Sequence, residues 1–239
     1  MRFKEIVEHM SNNDRWINGA KGKEFLASFS GGKDSALALY YAMKEGKATG
    51  LIVMMEEEGQ RSRSHGLTPE ILDAQGRAIG LPIYKGSATW ENYEEIFKNL
   101  LKDGKNKGAK VLVTGDLDMP EHGCWHEKVT KEVGLELAMP LWNMNHREEV
   151  EEFINLGFIT KIVTVNLNLG MKEEDLGKIL TKAYIKELEQ RGIDPCGEGG
   201  EFHTIVIDGP IFNAKIPVKD GEIIRQGEYG FLSLTIDKS

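Results

Sequence analysis

The chain has 239 residues, 40 % of them apolar and 28 % charged, with a formal net charge of −8. That length suits one large domain or two small ones with a core of their own, and the composition is ordinary for a protein folded in water. No apolar run reaches the ~18 residues of a membrane span, no secretory signal follows Met1-Arg2-Phe3-Lys4-Glu5, and the acidic balance disfavours nucleic acid, which asks for a clustered basic footprint.

In chain order, Phe3, Ile6, Val7 and Met10 recur at helical spacing and predict an amphipathic helix over residues 2 to 19. Glu24-Phe25-Leu26-Ala27-Ser28-Phe29 reads as a short buried strand, and Ala36 to Met43 as a helix closing at Gly46. Gly50 to Met55 is a second buried strand. Thr68 caps a helix with Pro69 at its first position and an end near Gly80. Pro82-Ile83-Tyr84 is a third strand, Trp90 to Leu101 a helix, and Lys110 to Thr114 a fourth strand stopping at Gly115-Asp116. Helices alternating with apolar strands indicate a doubly wound parallel α/β sheet, whose strand ends meet ligand along one edge. Beyond about residue 135 the pattern loosens. A helix is expected from Asn145 to Leu156, a strand over Thr160–Val165 and a long helix around Leu176 to Leu188. Strand candidates at Thr204–Ile207, Ala214–Val218 and Phe231–Ile236, with turns at Asp208-Gly209 and Asp220-Gly221, complete a smaller α+β domain. The expected division is residues 1–24 as a helical extension, 25–134 as a nucleotide domain and 135–239 as a substrate domain.

Between the first strand and its helix lies Ser30-Gly31-Gly32-Lys33-Asp34-Ser35. The helix start offers unpaired N–H groups and roughly half a positive charge. Gly31 and Gly32 let backbone amides approach an anion, Lys33 supplies a cation, Ser30 and Ser35 supply hydroxyls, and Asp34 can hold a phosphate-bound metal. The spacing fits neither a Walker A loop nor a dinucleotide fingerprint. It resembles the pyrophosphate loop of the N-type ATP pyrophosphatases, which cut ATP between its α and β phosphates and activate a substrate by adenylation.

A second string, Cys196-Gly197-Glu198-Gly199-Gly200-Glu201-Phe202-His203-Thr204, has glycines that permit an irregular backbone. Glu198, Glu201 and His203 could project into a cleft as base, metal ligand or amine holder, or the string could be a surface turn. Cys124 and Cys196 form no CxxC and read as reduced thiols of a cytoplasmic protein.

The loop, Thr114-Gly115-Asp116, Pro140-Leu141-Trp142, the glycine–glutamate string and Asp208-Gly209-Pro210-Ile211-Phe212 together resemble the diphthine–ammonia ligase family. The resemblance implies an enzyme that uses ATP and Mg²⁺ to adenylate a carboxylate, after which ammonia gives an amide, AMP and pyrophosphate. Two segments depart from the diphthamide-making members. Arg61-Ser62-Arg63-Ser64-His65-Gly66-Leu67 keeps only the histidine of their pattern, and in Glu121-His122-Gly123-Cys124-Trp125-His126 Cys124 and His126 replace two arginines. Losing two cations from an anion contact changes what binds. The chain resembles more the bacterial branch, whose organisms lack diphthamide, so a small acid or cofactor precursor is expected over diphthine.

The roles expected are these. Lys33 and the loop amides stabilise departing pyrophosphate; Met54 and Met55 lie near adenine; Gly115 and Asp116 complete the nucleotide site, with Asp34 and Asp116 as Mg²⁺ ligands. Glu198 and Glu201 receive ammonium or its protons. His65, Glu121, Trp125, His126, Gly199, Gly200 and His203 meet the acyl substrate, and Arg61 and Arg63 either hold an anion or lie on a solvated loop. His122, Cys124 and His126 would bind zinc only in a turn, because on a helix Cys124 leaves the face the histidines share. Alternatives are cobalamin-related amidation, a sulfur transferase relying on Cys196, and a nucleotide sensor without catalysis. Self-association is left open.

Overall fold

Five strands line up in parallel in the order β3-β2-β1-β4-β5: β1 Glu24–Ser28, β2 Lys47–Met55, β3 Ile83–Ser87, β4 Val111–Val113 and β5 Glu136–Ala138. They belong to a computed structural model of the protein that describes residues 14–237. Phe25, Leu26, Ala27, Leu51, Ile52, Val111 and Leu112 are all buried, as strands covered on both faces require. The helices Tyr93–Asn106 and Pro120–Val133 bring Phe97, Leu101, Val129 and Val133 onto Leu26, Ile52 and Leu112 in one core. Gly104 makes that approach possible, since a Cβ there would overlap the Leu26 side chain. The chain works outward from β1 to β3 and returns to lay β4 on the other side of β1. Strand order therefore reverses between β1 and β4, and from their C-terminal ends emerge the loop at Ser30 and the turn at Gly115.

The second sheet is antiparallel, in the order β7-β6-β9-β8, from β6 Ile159–Asn166, β7 Phe202–Asp208, β8 Val218–Gln226 and β9 Tyr229–Ile236. Val150 of the helix His146–Asn155 and Ile185 and Leu188 of the helix Lys182–Gln190 join Ile162, Val165 and Phe202 in its core. The chain forms two units. Of the described residues, one comprises those up to Phe29 with Asp34–Glu57 and Leu81–Met144; the other comprises Ser30–Lys33, Glu58–Gly80 and those from Asn145 on. The helix Pro69–Ile79, whose place in the sequence is that of a crossover in the parallel sheet, thus belongs to the second unit and packs on β9.

The expected α/β parallel sheet and the separate C-terminal α+β fold are both present. Several boundaries differ. Of the N-terminal helix, residues 2 to 13 lie outside the described residues, and the described part is one turn, Asp14–Ile17. The long helix around Leu176 begins only at Lys182, capped by Thr181. Before it, Gly177 and Leu180 donate to the Ile162 and Thr160 carbonyls, so backbone pairing to β6 overrides helical periodicity. The strand expected at Ala214–Val218 starts at Val218 instead, and Asp220-Gly221 is a register shift inside β8; the turn falls at Gly227, with φ +61°. β5 lies where no strand is expected. Among the described residues, no helix is long and apolar enough to cross a membrane.

Candidate functional site

The loop leaves β1 at Phe29, and its helix Lys33–Glu45 starts four residues on. Gly31 has φ +85°, which favours glycine. Its carbonyl accepts from Gln75 Nε2 and from the Val206 N–H, both at 2.9 Å, and the same Gln75 nitrogen donates to the Val206 carbonyl at 2.9 Å. A Cβ on Gly32 would overlap the His65 ring and sit 3.1 Å from the Thr204 carbonyl. The Gly32 N–H donates to Ser30 Oγ at 3.3 Å. Of the amides expected to face phosphate, that of Lys33 is engaged by Thr204 Oγ1 at 3.1 Å. The loop is thus held by β7 and by Gln75, and its glycines sit where a side chain has no room.

The Lys33 side chain is 2 % exposed. Its Nζ lies 3.0 Å from Cys196 Sγ and 3.4 Å from Glu149 Oε2, and Cys196 Sγ donates to the same carboxylate oxygen at 3.1 Å. Glu149 and Cys196 are equally inaccessible to solvent. Beside them, His65 Nδ1 contacts the Thr204 carbonyl at 2.7 Å, and its ring centre is 4.8 Å from that of His203. Burial pushes the His65 imidazole down to about 4; the Thr204 bond opposes this and the Lys33 charge adds to it. His65 is therefore neutral at physiological pH, and since a carbonyl only accepts, Nδ1 carries the proton.

Arg61 and Arg63 are half-buried on a turn closed by Ser62, whose N–H donates to the Leu67 carbonyl at 2.7 Å and whose Oγ accepts from the Leu67 N–H at 3.0 Å. In the glycine–glutamate string, Gly197 and Gly200 take φ of +77° and +83°. Gly199 lies directly under the Glu201 carboxylate, which a Cβ would meet at 2.7 Å. Glu201 Oε2 is buried with no hydrogen-bond partner among the described residues. Glu198 and Gly200 are half-buried and Gly199 is exposed.

In the first unit, Gly115 touches the loop's helix: a Cβ there would lie 2.7 Å from the Asp34 carbonyl carbon and 2.9 Å from the Ser35 nitrogen. Asp116, 15 % exposed, receives His122 Nδ1 at 3.2 Å and His126 Nε2 at 3.3 Å on its two oxygens. Burial opposes its ionisation, and the two imidazoles outweigh burial, holding the carboxyl far below the usual carboxylate range. The helix Pro120–Val133 presents both histidines on one face, while Cys124 packs against the first core, so the zinc arrangement is not formed. Trp125 donates its indole N–H to Glu94 Oε2 at 3.1 Å and tilts against Phe97 and Tyr93, 5.1 and 5.8 Å away. Glu121 is exposed. Met55 is buried and Met54 packs on the core, opposite Ser87 and Gly86 of β3. Neither cysteine is in a disulfide.

Sequence reasoning missed Glu149, Gln75 and the positional role of Thr204. Glu149 stands among Glu148, Glu151 and Glu152, and nothing in that acidic run marks the buried member.

Comparison with known proteins matches residues 23–137 to the diphthamide synthase N-terminal domain and residues 145–239 to the diphthamide synthase C-terminal domain. The chain is 26 % identical over 238 residues to the diphthine–ammonia ligase of Schizosaccharomyces pombe, covering 87 % of this chain and 38 % of that protein. It is 27 % identical over 232 residues to that of Mus musculus, covering 86 % of each, and 24 % identical over 224 residues to that of Homo sapiens. Thus it spans less than half the length of the fission-yeast relative and most of the mouse one. Among solved structures, it resembles a predicted subunit of tRNA methyltransferase from Methanocaldococcus jannaschii at TM-score 0.41 and 12 % identity, covering 79 % of this chain and 98 % of that one, a likeness too slight to argue from. With both domains matched in order, the chain belongs to the diphthamide synthase (diphthine–ammonia ligase) family.

Proposed function

We propose that the protein is an ATP-dependent ligase that adenylates a carboxylate, releases pyrophosphate and passes the acyl group to ammonia. The observation that carries this is the loop Ser30–Ser35, which in a member of this family sits at the strand-order reversal with glycines that admit no Cβ. ATP is a co-substrate. Its phosphates would lie on the loop, where Lys33 and the backbone amides other than those of Gly32 and Lys33 meet the charge gathering on the leaving group. The substrate carboxylate attacks the α-phosphorus and the bond to the bridging oxygen of pyrophosphate breaks. Ammonia nitrogen then attacks the acyl carbon, AMP leaves, and the surplus proton passes to a carboxylate, for which Glu201 and Glu198 are the candidates. The unpartnered buried oxygen of Glu201 supports that role, as an acceptor suited to ammonium.

For a magnesium ion we propose the carboxylates of Asp34 and Asp116, whose chain segments approach at Gly115; Asp116, facing His122 and His126 on its two oxygens, would have to turn one of them to the ion. Bound by Asp34 and Asp116, Mg²⁺ would screen the phosphate charge. Met54 and Met55 are proposed beside adenine; His65, Trp125 and His203, with the chain beyond about residue 135, are proposed to recognise the acyl substrate. We infer a small acid instead of diphthine, because the place of two arginines holds Cys124, which packs into the core, and His126, which is committed to Asp116.

The test offers the protein ATP, Mg²⁺ and ammonium with diphthine-bearing elongation factor beside a panel of small carboxylic acids, and follows AMP and pyrophosphate. Turnover is expected with a small acid and not with the factor. Efficient amidation of the factor alone would reverse the substrate reading, and ATP binding without AMP formation from any acid would make the protein a sensor.

A further inference from the structure

Glu149 has no part in the chemistry above, yet it is a fully buried carboxylate at the base of the phosphate loop. It sits on the helix His146–Asn155, in the first turn after the Asn145 cap, and that helix packs its Val150 into the second core. A carboxylate cut off from water is costly without a counter-charge and a hydrogen-bond donor beside it. Lys33 Nζ at 3.4 Å supplies the charge, and the Cys196 S–H at 3.1 Å supplies a hydrogen bond to the same oxygen. Lys33 in turn rests its ammonium on Cys196 Sγ. The cation of the loop is therefore held by a protein anion before any phosphate arrives.

We propose that Glu149 is the positioning residue for Lys33: it holds the ammonium aimed within the loop, and it competes with the nucleotide phosphates for it. Cys196 is the third member, its thiol keeping a hydrogen bond on the carboxylate when the lysine turns to phosphate. This rests on the reading of Lys33 as a phosphate ligand. The consequence is a trade between the two states. Removing the charge of Glu149 while keeping its shape takes a counter-charge away from the resting ammonium, whereas the nucleotide-bound state, with phosphates beside Lys33, loses less. Such a variant is less stable alone and binds nucleotide more tightly.

The experiment measures MgATP affinity by calorimetry and melting temperature without nucleotide, for the wild type, Glu149→Gln, Lys33→Met and the double variant. Glu149→Gln should melt several degrees lower and bind MgATP about tenfold more tightly, which a purely structural carboxylate would not bring about. Lys33→Met should bind more weakly, and adding Glu149→Gln to it should raise the melting temperature, because the buried carboxylate is no longer left without its cation. Glu149→Gln binding no tighter than wild type, with Lys33→Met weakened, overturns the role of Glu149 and leaves the ligase reading standing. Absence of MgATP binding by the wild type overturns both. Should Glu149→Gln not fold, a double variant no more stable than Lys33→Met overturns the pairing.

Discussion

His65 shows how one buried ring ties the loop to its support. Its Nδ1–H is spent on the Thr204 carbonyl, and Gly32 lies so close to the ring that no Cβ fits between them. With its pKa pushed down to about 4 by burial, folded His65 refuses a proton that the unfolded chain accepts below about 6.5. Stability should therefore fall as pH drops through the window from about 6.5 to 4, by up to about 3 kcal/mol from this group. Urea midpoints at pH 7.5 and 4.5 test it: the wild type should lose more than His65→Asn, and equal losses would assign the acid sensitivity elsewhere. Gly32→Ala belongs to the same contact. The Thr204 carbonyl is strand backbone and cannot yield, so the loop must shift, at about 1–3 kcal/mol. ATP turnover is expected to fall by more than about tenfold. A Gly32→Ala protein of wild-type activity would take the close packing of this loop out of the mechanism.

At the scale of elements, the helix Pro69–Ile79 is the best marked in the sequence and the least expected in its placement. Thr68 caps it by accepting from the Ile71 N–H, Pro69 opens it, and Gly80 closes it in the left-handed region at φ +81°. Those signals are local, set by backbone groups within a turn of each other, so they were legible without the fold. What the helix supports was not legible: Gln75, fully buried, bridges the Gly31 and Val206 carbonyls. Gln75→Leu keeps bulk and removes the donor both carbonyls share, and should cost about 2–3 kcal/mol with weaker MgATP binding. Denaturant unfolding and calorimetry check the two effects, and a loss of stability with affinity untouched would separate Gln75 from the loop. In the first unit, Gly104→Ala should destabilise by about 1–3 kcal/mol, because its helix would be pushed off Leu26. Thermal melting measures that, and an unchanged midpoint would mean the sheet yields there.

For the whole molecule, the chain is less divisible than its two family matches suggest. The second unit draws Glu58–Gly80 from the middle of the sequence, and the Asn213 N–H donates to the Ala78 carbonyl at 2.7 Å. A fragment of residues 145–239 corresponds to the C-terminal match but lacks that helix, leaving the β9 face and the Val206 carbonyl without it. It is expected to give poorly dispersed amide resonances and no cooperative melt; a fragment that melts like the full chain would show that the helix is an accessory.

The parallel sheet, the loop at Ser30–Ser35 and the family are legible in the sequence, because they rest on apolar runs, on glycine and cap signals and on short strings whose meaning is local. The sequence could not decide that Leu176 to Leu180 would pair with β6, that β5 would form from three residues, or that Glu149, out of a run of glutamates, would lie against Lys33. Those outcomes depend on which surfaces meet across long stretches of chain. Burial, and with it the charge state of His65 and the pairing of Lys33, exists only once they have met.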